Sequence, residues 1–287
     1  MTGAPRLPAA GPAGAVAVVV RALRRLGRRQ GGLIAAGVAF FALLGLFPGL
    51  AAVIALFGLL ADPAVIAAQL PLLAEFVPPE AFRLIEAQVN ALVRTGSGTL
   101  GWAGVVSVAV ALWSARAGVG ALQGGLDAIH GTPPRGGLQA IVSALVLTVA
   151  LVGCVIAAFL AVVVAPLVLA LVPLGPAAGW ALAVLPWVAA LGLLLAVLAL
   201  VYRFGPNRGR GSVLAGVVVA LVLWGAASLG FSAYLRRFGA YNEIYGSIGA
   251  VAALMMWFYI GAWVVLLGAA VNAERDAPPA RPSGGIA

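Results

Sequence analysis

GGLQAIVSALVLTVALVGCVIAAFLAVVVAPLVLALVPLGPAAGWALAVLPWVAALGLLLAVLALVY, residues 136–202, runs for 67 positions (136 through 202) without Asp, Glu, Lys, Arg or His. As one α-helix it would reach ~100 Å at ~1.5 Å per residue, against a hydrocarbon core of ~30 Å. The run therefore crosses a bilayer more than once, and Pro173, Gly175 and Pro176 supply the break. Charged residues make up 9% of the chain and hydrophobic residues 63%. A soluble domain carries about 25% charged residues, so composition alone points to an all-α, polytopic helical membrane protein.

The net charge of +9 would suggest a nucleic-acid partner in a soluble chain. Here all 17 basic residues are arginine, and they gather at the ends of apolar segments. That is the pattern of topological anchors, so the partners expected are membrane lipids and no nucleic acid. The single cysteine, Cys154, lies within an apolar run, which excludes an intramolecular disulfide and a cysteine metal site. No cofactor and no metal are expected.

Working outward, about six spans emerge, near residues 32–60, 99–115, 138–172, 178–201, 212–235 and 247–271. They form one membrane domain over 31–272, between an Arg-rich N-terminal segment (1–30) and a short tail (273–287). Residues 1–15 read as disordered and the tail from Asn272 as polar and mobile. Pro48 interrupts the first span and predicts a helix break or kink. In the polar excursion 62–98, Phe82, Ile85, Val89, Leu92 and Val93 fall on one helical face. They predict an interfacial amphipathic helix over Glu80–Arg94. The second span keeps helical periodicity beyond Arg116 to about His130, where Gly131 and Pro133-Pro134 stop it. Arg236–Gly246 reads as a loop.

Six spans place both termini on one side. With that side cytoplasmic, thirteen arginines lie inside and four (Arg83, Arg94, Arg236, Arg237) outside. Both termini are therefore expected on the cytoplasmic side. Small residues four apart, such as Ala35/Ala39, Gly120/Gly124, Ala226/Gly230, Gly246/Ala250 and Gly249/Ala253, can bring helices close. Trp180, Trp187, Trp257, Tyr259 and Trp263 read as interfacial anchors and packing residues.

Polar residues inside a membrane domain are candidates for function. One patch, Tyr241, Asn242, Glu243, Tyr245, Gly246, Ser247 and Gly249, precedes the last span. It could line a cavity, with Glu243 paired to Arg236 or Arg237, or it could be a tight turn. A second candidate is the stripe Arg116, Gln123, Asp127, which reads as a solvated cytoplasmic face. Arg116 and Asp127 are too far apart on one helix to pair, so each needs a partner elsewhere, such as Arg135 or Arg203 for Asp127. The basic turn Arg203/Arg208/Arg210 reads as an anchor that could also touch lipid phosphates.

The segment YNEIYGSIGAV (241–251), followed by LMMWFYIGAWVVLLGAAVNAER, resembles the C-terminal signature of the YihY/virulence factor BrkB family. AAGVAFFALLGLFPGL, LWSARAGVGALQGGLDAIHG and YRFGPNRGRGSVLAGVVVALVLW fit the same family in the same order, over about residues 30–275. Family members often carry an acid two positions after the Gly of L-L-G-A. Here Ala270 stands there, and Glu274, one turn on, could substitute. The resemblance implies a bacterial inner-membrane protein with six helices and no agreed biochemical activity. Some members carry the label ribonuclease BN. The residues argue against a nuclease, which needs clustered carboxylates or histidines around metal ions. This chain has one His and no H-x-H or D-x-H grouping. The expectation is a non-enzyme that transports or flips an amphipathic or envelope-related substrate. The alternative is a non-transporting structural or interaction protein of the cell envelope, with a membrane-associated ribonuclease a distant third.

Overall fold

The computed structural model describes residues 12–60, 86, 100–159, 177–207, 211–237 and 239–276. Seven helices account for nearly all of them: α1 (Pro12–Arg28), α2 (Gly31–Leu60), α3 (Leu100–His130), α4 (Gly137–Phe159), α5 (Ala177–Phe204), α6 (Leu214–Arg237) and α7 (Gly239–Asp276). No strand occurs among the described residues. The expected amphipathic helix at Glu80–Arg94 (Glu86 apart), the turn at 173–177 and the end of the third span lie outside the described residues.

Among the described residues, four helical stretches are long and apolar enough to cross a membrane: Gly137–Cys154, Trp187–Phe204, Leu214–Leu235 and Val251–Asp276. A fifth candidate is the pair Val16–Arg28 and Gly31–Leu46, bent by 71° at the break between them. Large apolar side chains face outward on most helices. Trp102 and Trp187 are the most exposed, at 81% and 78%. In water such a surface would aggregate; in lipid it is the solvated face.

Four expectations are corrected. The chain is helical from Pro12, where a disordered stretch was expected through residue 15. Proline suits the first helical position because its missing N–H has no intrahelical partner there. α2 runs through Pro48 without a break. One turn earlier Gly45 lies so close to α3 that an added Cβ would come within 3.2 Å of the Ser114 side chain, which braces the helix against its neighbour. The expected loop before the last span is helical from Gly239. The helix also continues through the expected mobile tail to Asp276, because Asn272 and Glu274 find partners on other helices.

α2 and α3 pack antiparallel through small residues. Ser114 and Gly118 of α3 meet Gly45 and Phe41 of α2, and Gly125 meets Ile34. Ala35 and Ala39, one of the expected small-residue pairs, are buried. The core gathers around the second half of α7, where Leu266, Leu267, Ala269, Ala270 and Val271 are all buried. Trp257 of α7 stacks on Phe231 of α6 and lies 5.9 Å, centroid to centroid, from Trp224. It therefore joins two helices, the packing role expected of it.

The tightest crossing joins α5, α6 and α7. The Tyr202 hydroxyl donates to the Val265 carbonyl at 2.9 Å, and the Gly216 N–H donates to Asn272 Oδ1 at 2.7 Å. A Cβ on Gly216 would collide with Asn272 and the Gly268 carbonyl. One on Gly268 would collide with the Tyr202 hydroxyl and stand 2.7 Å from the Gly216 carbonyl. Backbone cannot yield as a flexible side-chain tip can, so both positions require glycine. Gly216→Ala and Gly268→Ala are expected to lower the unfolding midpoint sharply, measured by thermal melting in detergent. Gly261→Ala, on the same α7 with nothing within 4 Å of the added methyl, should leave it unchanged. Equal midpoints for all three variants would refute this packing.

Candidate functional site

The predicted stripe on α3 does not face solvent. Gln123 and Asp127 are each only 4% exposed. The stripe turns toward α4: the Ser143 hydroxyl donates to Gln123 Oε1 at 3.0 Å, and the Gln123 amide reaches back to the Ser143 carbonyl at 3.5 Å. Glycine at 120 leaves a would-be Cβ 3.9 Å from the Ala144 methyl, so α3 and α4 approach without obstruction.

Asp127 organises the end of the bundle. Arg135 Nη1 donates to its Oδ2 at 3.0 Å, Thr132 donates to Oδ1 at 3.2 Å, and the Asn207 backbone N–H also donates to Oδ1. Arg135 donates through its second amine to the Gly205 carbonyl at 2.8 Å. One carboxylate thus fixes the α3–α4 turn and the turn after α5. Burial pushes the Asp127 carboxyl above its ordinary value, while the Asn207 N–H, the Arg135 charge and the Thr132 hydroxyl pull it back. Both side chains of the Asp127–Arg135 pair are less than a tenth exposed.

A second clasp forms at the same end. Glu274 of α7 accepts from Arg21 at 3.2 Å and from Arg25 at 2.6 Å, both on α1. Arg25 also donates to the carbonyl of Ile129, near the end of α3. Ala270 is fully buried. Arg203 of the basic turn is exposed, and Arg208 and Arg210 lie outside the described residues.

Arg116 differs from every other described arginine in its level. It stands eleven residues up α3 from Asp127, ~16 Å at ~1.5 Å per residue. Asp127 is level with Gly205–Asn207, just past the apolar end of α5. Two turns beyond the Gln123–Ser143 contact, Arg116 is level with the middle of α4. Its guanidinium carbon lies 4.8 Å from the centre of the Trp113 ring, which is 69% exposed. Its Nε is buried with no hydrogen-bond partner, and it forms no ion pair among the described residues.

The predicted patch Tyr241–Gly249 lies on the first turns of α7 rather than in a loop. The side chains of Tyr241, Asn242, Glu243, Tyr245 and Ser247 lie outside the described part, as does the expected pairing of Glu243 with Arg236 or Arg237. Gly249 is half-buried. Among the described residues no three His, Cys, Asp or Glu side chains lie close enough to hold a metal ion. Sequence reasoning missed Tyr202, Gly216, Gly268 and Asn272. The one signal was an asparagine at the end of an apolar run, since a polar amide in that setting gains from an internal partner.

The family model for virulence factor BrkB matches residues 22–284. The chain belongs to the BrkB family. A relative in Bacillus subtilis (strain 168), YfkH, whose name describes it as ribonuclease-like, is 29% identical over 245 residues, covering 83% of this chain and 87% of its own. A UPF0761 membrane protein of Tolumonas auensis is 38% identical over 79 residues, 26% of each chain. Another, RSc1559 of Ralstonia nicotianae, is 38% identical over 78 residues, 26% of this chain and 18% of its own. No solved structure matches the chain. A BrkB-family protein with this apolar surface is a multi-pass membrane protein.

Removing one partner of a buried ion pair leaves the other charge uncompensated, at a cost of about 3 kcal/mol or more. Arg135→Ala and Asp127→Ala are therefore each expected to destabilise the protein by about that amount. The double variant should cost less than the two single changes added together. A double-mutant cycle by reversible unfolding in mixed micelles checks this, and strict additivity would show that the two groups do not interact.

Proposed function

We propose that this BrkB-family protein moves an amphipathic, envelope-related molecule through or along the membrane, and that Arg116 receives the anionic group of that molecule. Arg116 carries the reading. A cation level with the middle of an apolar helix is costly in hydrocarbon and is retained where it meets a ligand, a counter-ion or a path. Its buried Nε has an unmet donor, and its one described neighbour of note is an exposed Trp113 ring. A guanidinium matches a phosphate or carboxylate through paired N–H donors, and the tryptophan ring offers a surface for an apolar tail at the same level.

On this reading the arginine-rich ends of the helices, including both described termini, face the cytoplasm of a bacterial cell across its inner membrane. Thirteen arginines against four support that orientation. The protein is then a transporter rather than an enzyme. The ribonuclease-like name of the Bacillus relative suggests RNA cleavage. The described residues offer that chemistry no carboxylate or histidine cluster.

Proteoliposomes holding the purified protein are expected to move a fluorescent anionic phospholipid between leaflets faster than protein-free liposomes. Arg116→Gln should reduce that rate about tenfold, as expected for losing a charge-assisted contact. The tail-facing substitution Trp113→Leu should reduce it less. Anionic amphipaths moved no faster than in empty liposomes, or moved equally well by Arg116→Gln, would sink the reading. The first outcome would favour a structural or interaction role in the envelope.

A further inference from the structure

Helix α1 carries three distinct faces. Ala22 and Leu26 are buried against the body of the protein, with Val18 half-buried beside them. Val16, Val20 and Leu23 form a second, exposed apolar stripe, with Val16 64% exposed. Arg24 and Arg28 line a third, exposed and basic, with Arg21 at its edge. At 100° per residue the apolar stripe and the basic one are neighbours. A soluble helix has no use for an apolar stripe that points away from its own core.

The placement of α1 says what covers that stripe. α1 is bent 71° from the start of α2, across a turn in which Gln30 takes a left-handed φ of 54°. Were α2 to run close to the membrane normal, the bend would leave α1 roughly 20° from the membrane plane, the attitude of an interfacial helix. Leu33, in the first turn of α2, is 70% exposed and continues the apolar surface past the bend. The Glu274 clasp holds α1 across the helix ends from Arg21 and Arg25, so its orientation is fixed by the protein. Arg24 and Arg28 form no ion pair among the described residues, and α1 contains no acid.

We propose that α1 is an anionic-lipid binding element at the arginine-rich face. Val16, Val20 and Leu23 sink into the boundary between headgroups and acyl chains. Arg24 and Arg28, on the adjoining stripe, meet the phosphates of acidic phospholipids. The occupant is a lipid surface because two adjoining stripes, one apolar and one cationic, match the two layers of that boundary. A nucleic acid would leave Val16, Val20 and Leu23 in water. This inference is independent of any transport activity.

The test uses the full-length protein in nanodiscs of phosphatidylcholine alone or with added phosphatidylglycerol. Phosphatidylglycerol is expected to slow backbone hydrogen exchange across residues 16–28. Native mass spectrometry should show preferential retention of phosphatidylglycerol over phosphatidylcholine. Each of Arg24→Gln and Arg28→Gln should lower that preference about fivefold, and Arg275→Gln, at the exposed end of α7, should lower it less. The Val20→Asp variant should lose the exchange protection while keeping the fold of the remaining helices. Equal exchange of residues 16–28 in the two lipid mixtures overturns the proposal. So does undiminished phosphatidylglycerol retention by the Arg24→Gln/Arg28→Gln double variant, and so does protection that appears only on adding RNA.

Discussion

A polar group taken out of water has to find its partner inside the protein, and Asp127 is where that constraint acts most strongly. Its carboxylate is met by a guanidinium and a hydroxyl from one turn and a backbone N–H from another. Those contacts set the register of α3 against α4 and of α5 against both. Gln123 and Ser143 repeat the logic one turn deeper, with two neutral groups that satisfy each other. The hydrophobic effect cannot fix such registers in lipid, because lipid tails are as apolar as leucine. Short polar contacts and close backbone approach take over that task.

α7 joins these contacts to the rest of the molecule. Its second half is buried on nearly every side. Gly268 lets Tyr202 and Gly216 come into contact with it, Asn272 takes up the Gly216 N–H near the start of α6, and Glu274 secures α1. All of this lies in the half of the bundle toward the arginine-rich face. The exposed apolar rows at Trp102, Trp113 and Trp187 are left to the lipid.

Much of the architecture was legible because lipid imposes simple rules on composition. A run of 67 uncharged residues (136 through 202) and arginines at segment ends are enough to name the class. The continuation of α3 to His130 was legible too, from the stripe Arg116, Gly120, Gln123, Asp127 and His130, spaced at four, three, four and three residues. What that stripe touches was not legible. Ser143 and Arg135 belong to other segments, and solvent was the simpler partner to assume. The Arg25–Glu274 pair bridges 249 positions and leaves no local signature. Gly216 and Gly268 are two of 38 glycines, and nothing in their neighbours marks them. The start of α1 was hidden because proline, glycine and alanine suit a flexible tail as readily as a first helical turn.

Arg116 is a charged group whose buried donor finds no partner among the described residues, which makes its depth the point on which the functional account turns. The fluorescence that Trp113 contributes, taken as the difference between the wild-type protein and Trp113→Phe, can be measured in bilayers of lipids brominated at successive depths along the acyl chain. Strongest quenching by bromines deep in the chain is the result the account predicts. Strongest quenching at the headgroups, or by a water-soluble quencher, would put Trp113 and Arg116 at the surface and contradict it.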